Sequence, residues 1–446
     1  MNELKVYFSS LGCDKNLVDS EKMMSVLLSH GISFTDDETD ADIIVVNTCG
    51  FILDAKQESI ETILELARMK TSGRAKALVV TGCLAQRYSE EIRAEIPEVD
   101  AVVGTSGYDS IWEAVEQALA GERPDIFKDT DYLPKGMYSR VRSGFGPHRY
   151  LKIAEGCDKH CTYCAIPMMR GRYRSVPMEE LVSEAGLLAE DGATELIIVA
   201  QETTLYGVDL YGEKKLPELL HRLCQIDGIE WIRLLYCYPE EISEELIQTM
   251  RDEPKLCHYL DIPIQHANDE ILRRMGRKTD KQSIVSTIGM IRRIIPDVAI
   301  RTTLISGFPG ETKAMHEELI DFIKELRFDR LGVFPYSEEE GTPAADFPDQ
   351  VPADERKRRA DELMRISEQI IFEKNKEMPG RSLPVIVEGY LPEENRYVGR
   401  SYRDAPDIDG LVFFTSDNER LTSEIVWVTI DEASGYDLVG EERRIS

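Results

Sequence analysis

Apolar and polar positions alternate in blocks over the first ~130 residues, each short apolar run giving way to a stretch with helical spacing. "KVYFSSLGC" leads into "NLVDSEKMMSVLLSHG", which Gly31 closes. "ADIIVVNTCGF" leads into "DAKQESIETILELARMK", and "AKALVVTGC" into "SEEIRAEI". This repetition predicts an α/β domain with a parallel sheet. From Arg149 to Ser337 it resumes with six strand candidates: "YLKIAEG", "ELIIVAQ", "WIRLLYCYP", "YLDIPIQ", "AIRTTLISGFPG" and "RLGVFPYS". Six β/α units fall short of a complete eight-stranded barrel. They predict a partial (β/α)6 barrel, open along one side, with its chemistry at the C-terminal strand ends. "DERKRRADELMRISEQIIFEKNKEM" then reads as a long charged helix whose Lys-Arg-Arg run is a solvated face. From about Gly380, the short β-rich segments "SLPVIVEGY", "RYVGRSY", "GLVFFTS" and "EIVWVTIDEAS" predict a small OB-like barrel. The expected domains are 1–130, 143–375 and 376–446.

Composition narrows the class. A 446-residue chain that is 42% apolar fits several ordinary globular domains. No apolar run reaches the roughly 18 to 20 residues of a membrane helix, and "MNELKVYFSS" lacks the layout of a secretory signal. The expectation is a soluble cytoplasmic protein without a membrane partner. The 53 Lys and Arg against 82 Asp and Glu give a net charge of −29. Such a surface repels phosphate backbones and attracts basic partners.

The nine cysteines are odd in number and scattered, so a disulfide framework is not expected. Cys13, Cys49 and Cys83 each stand directly after a strand-like run, 36 and 34 residues apart. Parallel strands place their C-terminal ends on one edge, where these three thiols can converge. A second trio, Cys157, Cys161 and Cys164, lies in "EGCDKHCTYC". Zinc usually takes four Cys or His ligands, and His160, adjacent to Cys161, is awkwardly placed to be the fourth. Three thiolates on a 4Fe–4S cluster leave one iron free to bind a small molecule. Cys224, Cys237 and Cys257 read as packing residues.

The spacing of Cys157, Cys161 and Cys164 at the end of a first strand resembles that of the radical S-adenosylmethionine enzymes. The resemblance implies that S-adenosylmethionine chelates the open iron, and that an electron from the cluster breaks its C–S bond to give a 5′-deoxyadenosyl radical. "SLGCDKNLVDSE", "NTCGFILDAKQES" and "TGCLAQRY" resemble the three cysteine motifs of the methylthiotransferase family. By that resemblance Cys13, Cys49 and Cys83 hold a second 4Fe–4S cluster, whose free iron carries the sulfur or methylsulfide to be transferred. Some members of the family modify transfer-RNA adenosines, often with "GCQMN" at the first cysteine. "GCDKNLVDSE", "VAQETTLYG" and "GRSYRDAPDIDG" look instead like the branch that modifies an aspartate β-carbon of small-subunit ribosomal protein twelve. The terminal barrel resembles a TRAM domain. Ala165 stands where a larger aliphatic residue is more usual, which bears on local packing.

Charge supports the protein substrate independently. From Gly380 onward there are seven Arg and no Lys against fourteen Asp and Glu, a net of −7. A barrel that tracks RNA should be basic, whereas an acidic one suits a basic ribosomal protein, so RNA contact is not expected. Gln201, Gln265 and Arg301 lie at or near later strand ends and are candidate cofactor contacts. "GFPGET", from Gly307, lines the S-adenosylmethionine site by resemblance and otherwise reads as a tight turn. His266 and His316 carry no functional signal. No acid–base dyad is found. A flavodoxin- or ferredoxin-type electron donor is implied. The rival readings are a transfer-RNA methylthiotransferase and a zinc scaffold.

Overall fold

The computed structural model describes residues 4–136, 139–144 and 146–443. By backbone proximity the chain forms two compact units. The first gathers the chain up to Gly144 with Lys152–Glu184 and Ser337–Ala345. The second gathers Ala185–Tyr336 and Asp346 onward, with the stretch before Lys152.

In the first unit six strands, β1 (Lys5–Ser10), β2 (Ser33–Phe34), β3 (Ile43–Thr48), β4 (Ala77–Gly82), β5 (Ala101–Val103) and β6 (Asp125–Ile126), form a parallel sheet in the order β2-β1-β3-β4-β5-β6. The central strands "IIVVNT" and "ALVVTG" are buried at every position, as expected of parallel strands covered on both faces. Their side chains divide with period two. Ile43, Val45, Ala77 and Val79 join one core with Met23 and Leu27 of the helix Asp14–Ser29. Ile44, Val46, Leu78 and Val80 join the other core with Ile63 and Leu66 of the helix Leu53–Ser72. Each buried aliphatic side chain contributes about 1.5–3 kcal/mol, so these layers fix the sheet edge that carries the cysteines.

Six further strands belong to a second sheet: β7 (His148–Lys152), β10 (Glu195–Val199), β11 (Trp231–Leu234), β12 (Leu256–Asp261), β13 (Ala299–Ser306) and β14 (Arg330–Pro335). Their order, β14-β13-β12-β11-β10-β7, follows the chain. The two short strands between them, β8 (Ala154–Glu155) and β9 (Arg174–Ser175), form an antiparallel ladder in the first unit. All six expected strands are present, each followed by helical chain as a β/α barrel segment requires.

The last strands, β15 (Ser382–Leu391), β16 (Arg396–Ser401), β17 (Val412–Thr415), β18 (Ile425–Ser434) and β19 (Asp437–Glu442), close into a barrel in the order β15-β16-β17-β19-β18. Only the β17–β19 pair is parallel, and the barrel encloses Val385, Val412, Phe414 and Val428. This is the OB-like barrel expected from the sequence. Among the described residues no helix is long and apolar enough to cross a membrane.

The charged helix spans Ala353–Asn375. Its Lys-Arg-Arg run is not uniformly solvated as expected, because Arg359 is buried and bonds Glu311 at 2.9 Å and Glu355 at 2.7 Å. Three-residue spacing turns Lys357 and Arg358 outward and Arg359 inward.

Candidate functional site

All six candidate ligands belong to the first unit. Cys13 caps the helix Asp14–Ser29, Cys49 follows β3 directly, and Cys83 opens the helix Cys83–Arg87 after β4. Cys49 and Cys83 are buried, while Cys13 is exposed. Ser59 fixes Cys49 from both sides, with its Oγ accepting the Cys49 N–H at 3.0 Å and donating to the Cys49 carbonyl at 2.9 Å. Burial pushes the Cys49 thiol up to about 11, and negative charge on Cys83 or Cys13 adds to the rise. Burial also raises Cys83, against the pull of Arg170. Three mutually repelling thiolates at one sheet edge suit a cationic iron centre, which relieves the cost of deprotonating them.

In the second trio Cys157 and Cys161 are buried and Cys164 is half-buried. The Cys157 N–H donates to the Gly171 carbonyl at 3.2 Å, and the Cys164 N–H to the Cys161 carbonyl at 3.0 Å. The β8–β9 ladder closes the base of this loop by pairing Glu155 with Arg174. Among the described residues no three His, Cys, Asp or Glu close on a point as a single-ion site requires. A cubane spreads its thiolates more widely than one ion does.

The two trios are adjacent. The short helix Ile166–Arg170 starts two residues after Cys164, and its Ala165, Ile166 and Met169 neighbourhood packs against Cys83. The small side chain of Ala165 lies fully buried in that contact. At the end of the helix, Arg170 Nε lies 3.3 Å from Cys83 Sγ. Its Nη1 reaches Asp19 at 2.6 Å and Glu155 at 3.2 Å, and its Nη2 reaches Asn16 at 2.8 Å. Lys152 bonds the same two carboxylates, Glu155 at 2.6 Å. Burial alone would raise the Glu155 carboxyl, but Lys152 and Arg170 hold it well below the usual range. None of these charged groups stood out in the sequence. The available signals were the acidic and amide positions inside "GCDKNLVDSE" and an Arg soon after the cysteine loop.

The candidate cofactor contacts lie in the second unit. Gln201 follows β10 by two residues. Gln265 is held at a φ of +70° by backbone bonds to Thr303 and Ile305, and its Oε1 is buried without a hydrogen-bond partner among the described residues. A buried acceptor of this kind suits a polar ligand. Arg301 stands three residues into β13, level with the last residue of β12, and bonds Asp261 at 2.9 Å. Asp261 thus orients its guanidinium. Gly307 has a φ of +74°, and a Cβ there would meet Arg356 Cγ at 2.5 Å. The Gly307 N–H donates to Glu311 Oε2 at 2.7 Å, so a carboxylate of the chain itself occupies the turn. His266 and His316, unremarkable in sequence, flank Glu311 in the interior at 3.6 and 3.7 Å.

Residues 151–323 match the radical SAM superfamily, 380–442 the TRAM domain, and 5–104 the uncharacterized protein family UPF0004. The fold is similar to that of the radical S-adenosylmethionine methyltransferase TsrM from Kitasatospora setae, with a TM-score of 0.56 at 16% identity over 75% of each chain. It is also similar to that of the cobalamin-dependent radical enzyme OxsB, with a TM-score of 0.51 at 12% identity over 82% of this chain and 56% of that one. The sheet, the cysteine loop and the matched region define a radical SAM enzyme that carries a terminal TRAM barrel. The ribosomal protein uS12 methylthiotransferase RimO of Lachnoclostridium phytofermentans is 58% identical over 98% of this chain and 99% of its own. That of Clostridioides difficile is 47% identical over 98% of both. The chain belongs to the RimO family of ribosomal protein uS12 methylthiotransferases.

Proposed function

We propose that the chain places a methylthio group on the β-carbon of an aspartate in ribosomal protein uS12, using two 4Fe–4S clusters and S-adenosylmethionine as methyl donor and radical source. The observation that carries this reading is the 3.3 Å approach of Arg170, from the helix after Cys164, to Cys83. It makes the two cysteine trios neighbours within one compact unit. When bound, the clusters and S-adenosylmethionine supply radical chemistry at an unactivated carbon and a sulfur-bearing group to capture it. Cys157, Cys161 and Cys164 would hold one cluster, and Cys13, Cys49 and Cys83 the other. The chain's own part is to keep both ligand sets on fixed strand ends and helix starts and to exclude water. Gln201, Gln265, Arg301 and Gly307 are the proposed S-adenosylmethionine contacts, and the unpartnered Gln265 Oε1 supports that role most directly. The three-domain division at 1–130, 143–375 and 376–446 belongs to the same reading and is supported by the three matched regions. So do a flavodoxin- or ferredoxin-type reductant, a cytoplasmic setting beside the ribosome, and an acidic barrel that faces a basic protein rather than RNA.

The test uses the chain reconstituted anaerobically with iron and sulfide, then incubated with S-adenosylmethionine, a reductant, purified uS12 and transfer RNA. Peptide mass spectrometry should find a methylthio group on one uS12 aspartate. Unmodified uS12 beside a methylthiolated nucleoside would replace this reading with the transfer-RNA one.

A glycine pair tests the first ligand set. Gly12 has a φ of +89°, and a Cβ there would lie 2.7 Å from Cys49 Cβ and 3.0 Å from its Sγ. Gly31 has a φ of +78°, and among the described residues, its chain neighbours aside, a Cβ there would meet nothing within 4 Å. Both substitutions carry the strain of about 1–2 kcal/mol for a left-handed residue, but only Gly12→Ala displaces a ligand. Iron analysis should show Gly12→Ala losing much of the iron at this set and Gly31→Ala retaining it.

A further inference from the structure

We infer that Arg170 is a positioning residue for the Cys13/Cys49/Cys83 centre, and that its hydrogen bond to Cys83 raises the reduction potential of the iron held there. The inference rests on the two-cluster reading above and adds a residue that sets the electronic state of one centre.

The side chain reaches the first trio by two routes. Nε points at the Cys83 sulfur at 3.3 Å. Nη2 bonds Asn16 Oδ1 at 2.8 Å, and the Asn16 amide donates to the Leu11 carbonyl at 2.7 Å and the Thr48 carbonyl at 3.2 Å. Leu11 lies two residues before Cys13, and Thr48 immediately precedes Cys49. One guanidinium therefore bears on all three ligand loops. Its own backbone leads to the other trio, because the next carbonyl, that of Gly171, accepts the Cys157 N–H.

A purely structural arginine would not need this geometry. Asp19 and Glu155 are already bonded by Lys152, so Arg170 is not required to give either carboxylate a partner. Among the groups bonded directly to one another, Arg170 and Lys152 balance Asp19 and Glu155 before any sulfur is counted, and Arg174 adds a further positive field at Glu155. The fifth member that the Nε–H can serve is a Cys83 thiolate, and a charge-assisted bond to it is stronger than a neutral one. Cluster potentials follow net charge and hydrogen bonds to the sulfurs. Each electron added raises the negative charge on those sulfurs, so a donor fixed beside Cys83 favours the reduced state. The planar fork also explains the residue type, since a lysine ammonium cannot hold Cys83, Asn16 and two carboxylates in one plane.

The experiment uses the full chain with Cys157, Cys161 and Cys164 replaced by Ala, so that only the first centre is loaded, and follows it by a redox titration read by electron paramagnetic resonance. Arg170→Gln and Arg170→Lys are introduced into this parent. Lys keeps the cation and preserves the fold even if the loss of charge in Gln does not. Both should titrate at more negative potentials. The expected shift for Gln is a tenfold loss in the preference for the reduced form, about 59 mV for a one-electron couple, with a smaller shift for Lys. An unchanged midpoint in Arg170→Lys would overturn the inference while leaving the two-cluster reading intact. A parent that binds no iron would instead overturn that reading and this inference with it.

Discussion

With Cys13, Cys49 and Cys83 all replaced by Ala, the chain is expected to keep about half its iron, to cleave S-adenosylmethionine still, and to transfer no methylthio group. The asymmetry follows from where the ligands lie. Cys157, Cys161 and Cys164 occupy a loop closed by the β8–β9 ladder and by backbone bonds that the triple variant leaves in place. Cys49 and Cys83 follow β3 and β4, whose complete burial does not depend on the thiols, and Cys13 lies at the start of the helix Asp14–Ser29, so the sheet survives the substitution. The side-chain bonds lost include those from Arg170 to Cys83 and from the Phe51 N–H to Cys49, and Arg170 retains Asp19, Glu155 and Asn16. Iron analysis, detection of 5′-deoxyadenosine and mass spectrometry of uS12 read the three outcomes separately. If S-adenosylmethionine cleavage vanished with the iron of the first trio, the division of labour between the two sets would be wrong. The reciprocal triple variant at Cys157, Cys161 and Cys164 should lose both cleavage and transfer.

The second large effect is on stability. In the second unit Glu195 is fully buried between two fully buried arginines, accepting from Arg233 Nε at 2.8 Å and Arg400 Nη2 at 2.6 Å. Arg233 also bonds the Tyr402 carbonyl at 2.7 Å and lies over the Tyr259 ring, while Arg400 reaches Glu388 at 2.6 Å. Burial alone would raise the Glu195 carboxyl, yet Arg400 and Arg233 hold it down to about 2. Glu195→Gln leaves two cations in the interior facing a neutral amide. Breaking a buried pair on one side costs about 3–5 kcal/mol, or roughly 10 °C in Tm for a unit of this size. The sign with pH is fixed by the depressed value. The contribution is complete above the ordinary Glu range of about 4.5 and fades as pH falls toward about 2. Denaturant unfolding should therefore show a wild-type advantage at about pH 6 that narrows at about pH 3. A constant gap across that window would mean that the glutamate charge is not what the arginines require.

Local patterns in the sequence revealed the scaffold and the ligands, because both follow from short-range rules. "IIVVNTC" and "ALVVTGC" state their strands in apolar runs and the cysteine in the next position, and parallel pairing then brings Cys49 beside Cys83. The terminal barrel was legible for the same reason, since its turns fall between short alternating runs. The charge partners were not legible. Arg170 meets Asp19 across 151 positions, and Arg400 meets Glu195 across 205. No periodicity links residues that far apart. Glu195 opens a strand and Arg359 sits in a charged helix, and in each case the sequence suggests solvent while the fold supplies a partner. His266 and His316 show no sign of Glu311 until the turn after β13 folds back between them.

The chain crosses between its two units several times, since Lys152–Glu184 and Ser337–Ala345 return to the unit begun by the first strands. No single cut can therefore release either unit whole, and dissection at the apparent boundary near residue 143 would divide a balanced set of charges. A fragment starting there would retain Arg170 and Lys152 but lose Asp19 and Asn16, leaving Glu155 as the one carboxylate of that network to offset both cations. Truncation thus removes counter-ions as well as ligands, and the half that holds the S-adenosylmethionine motif inherits the imbalance.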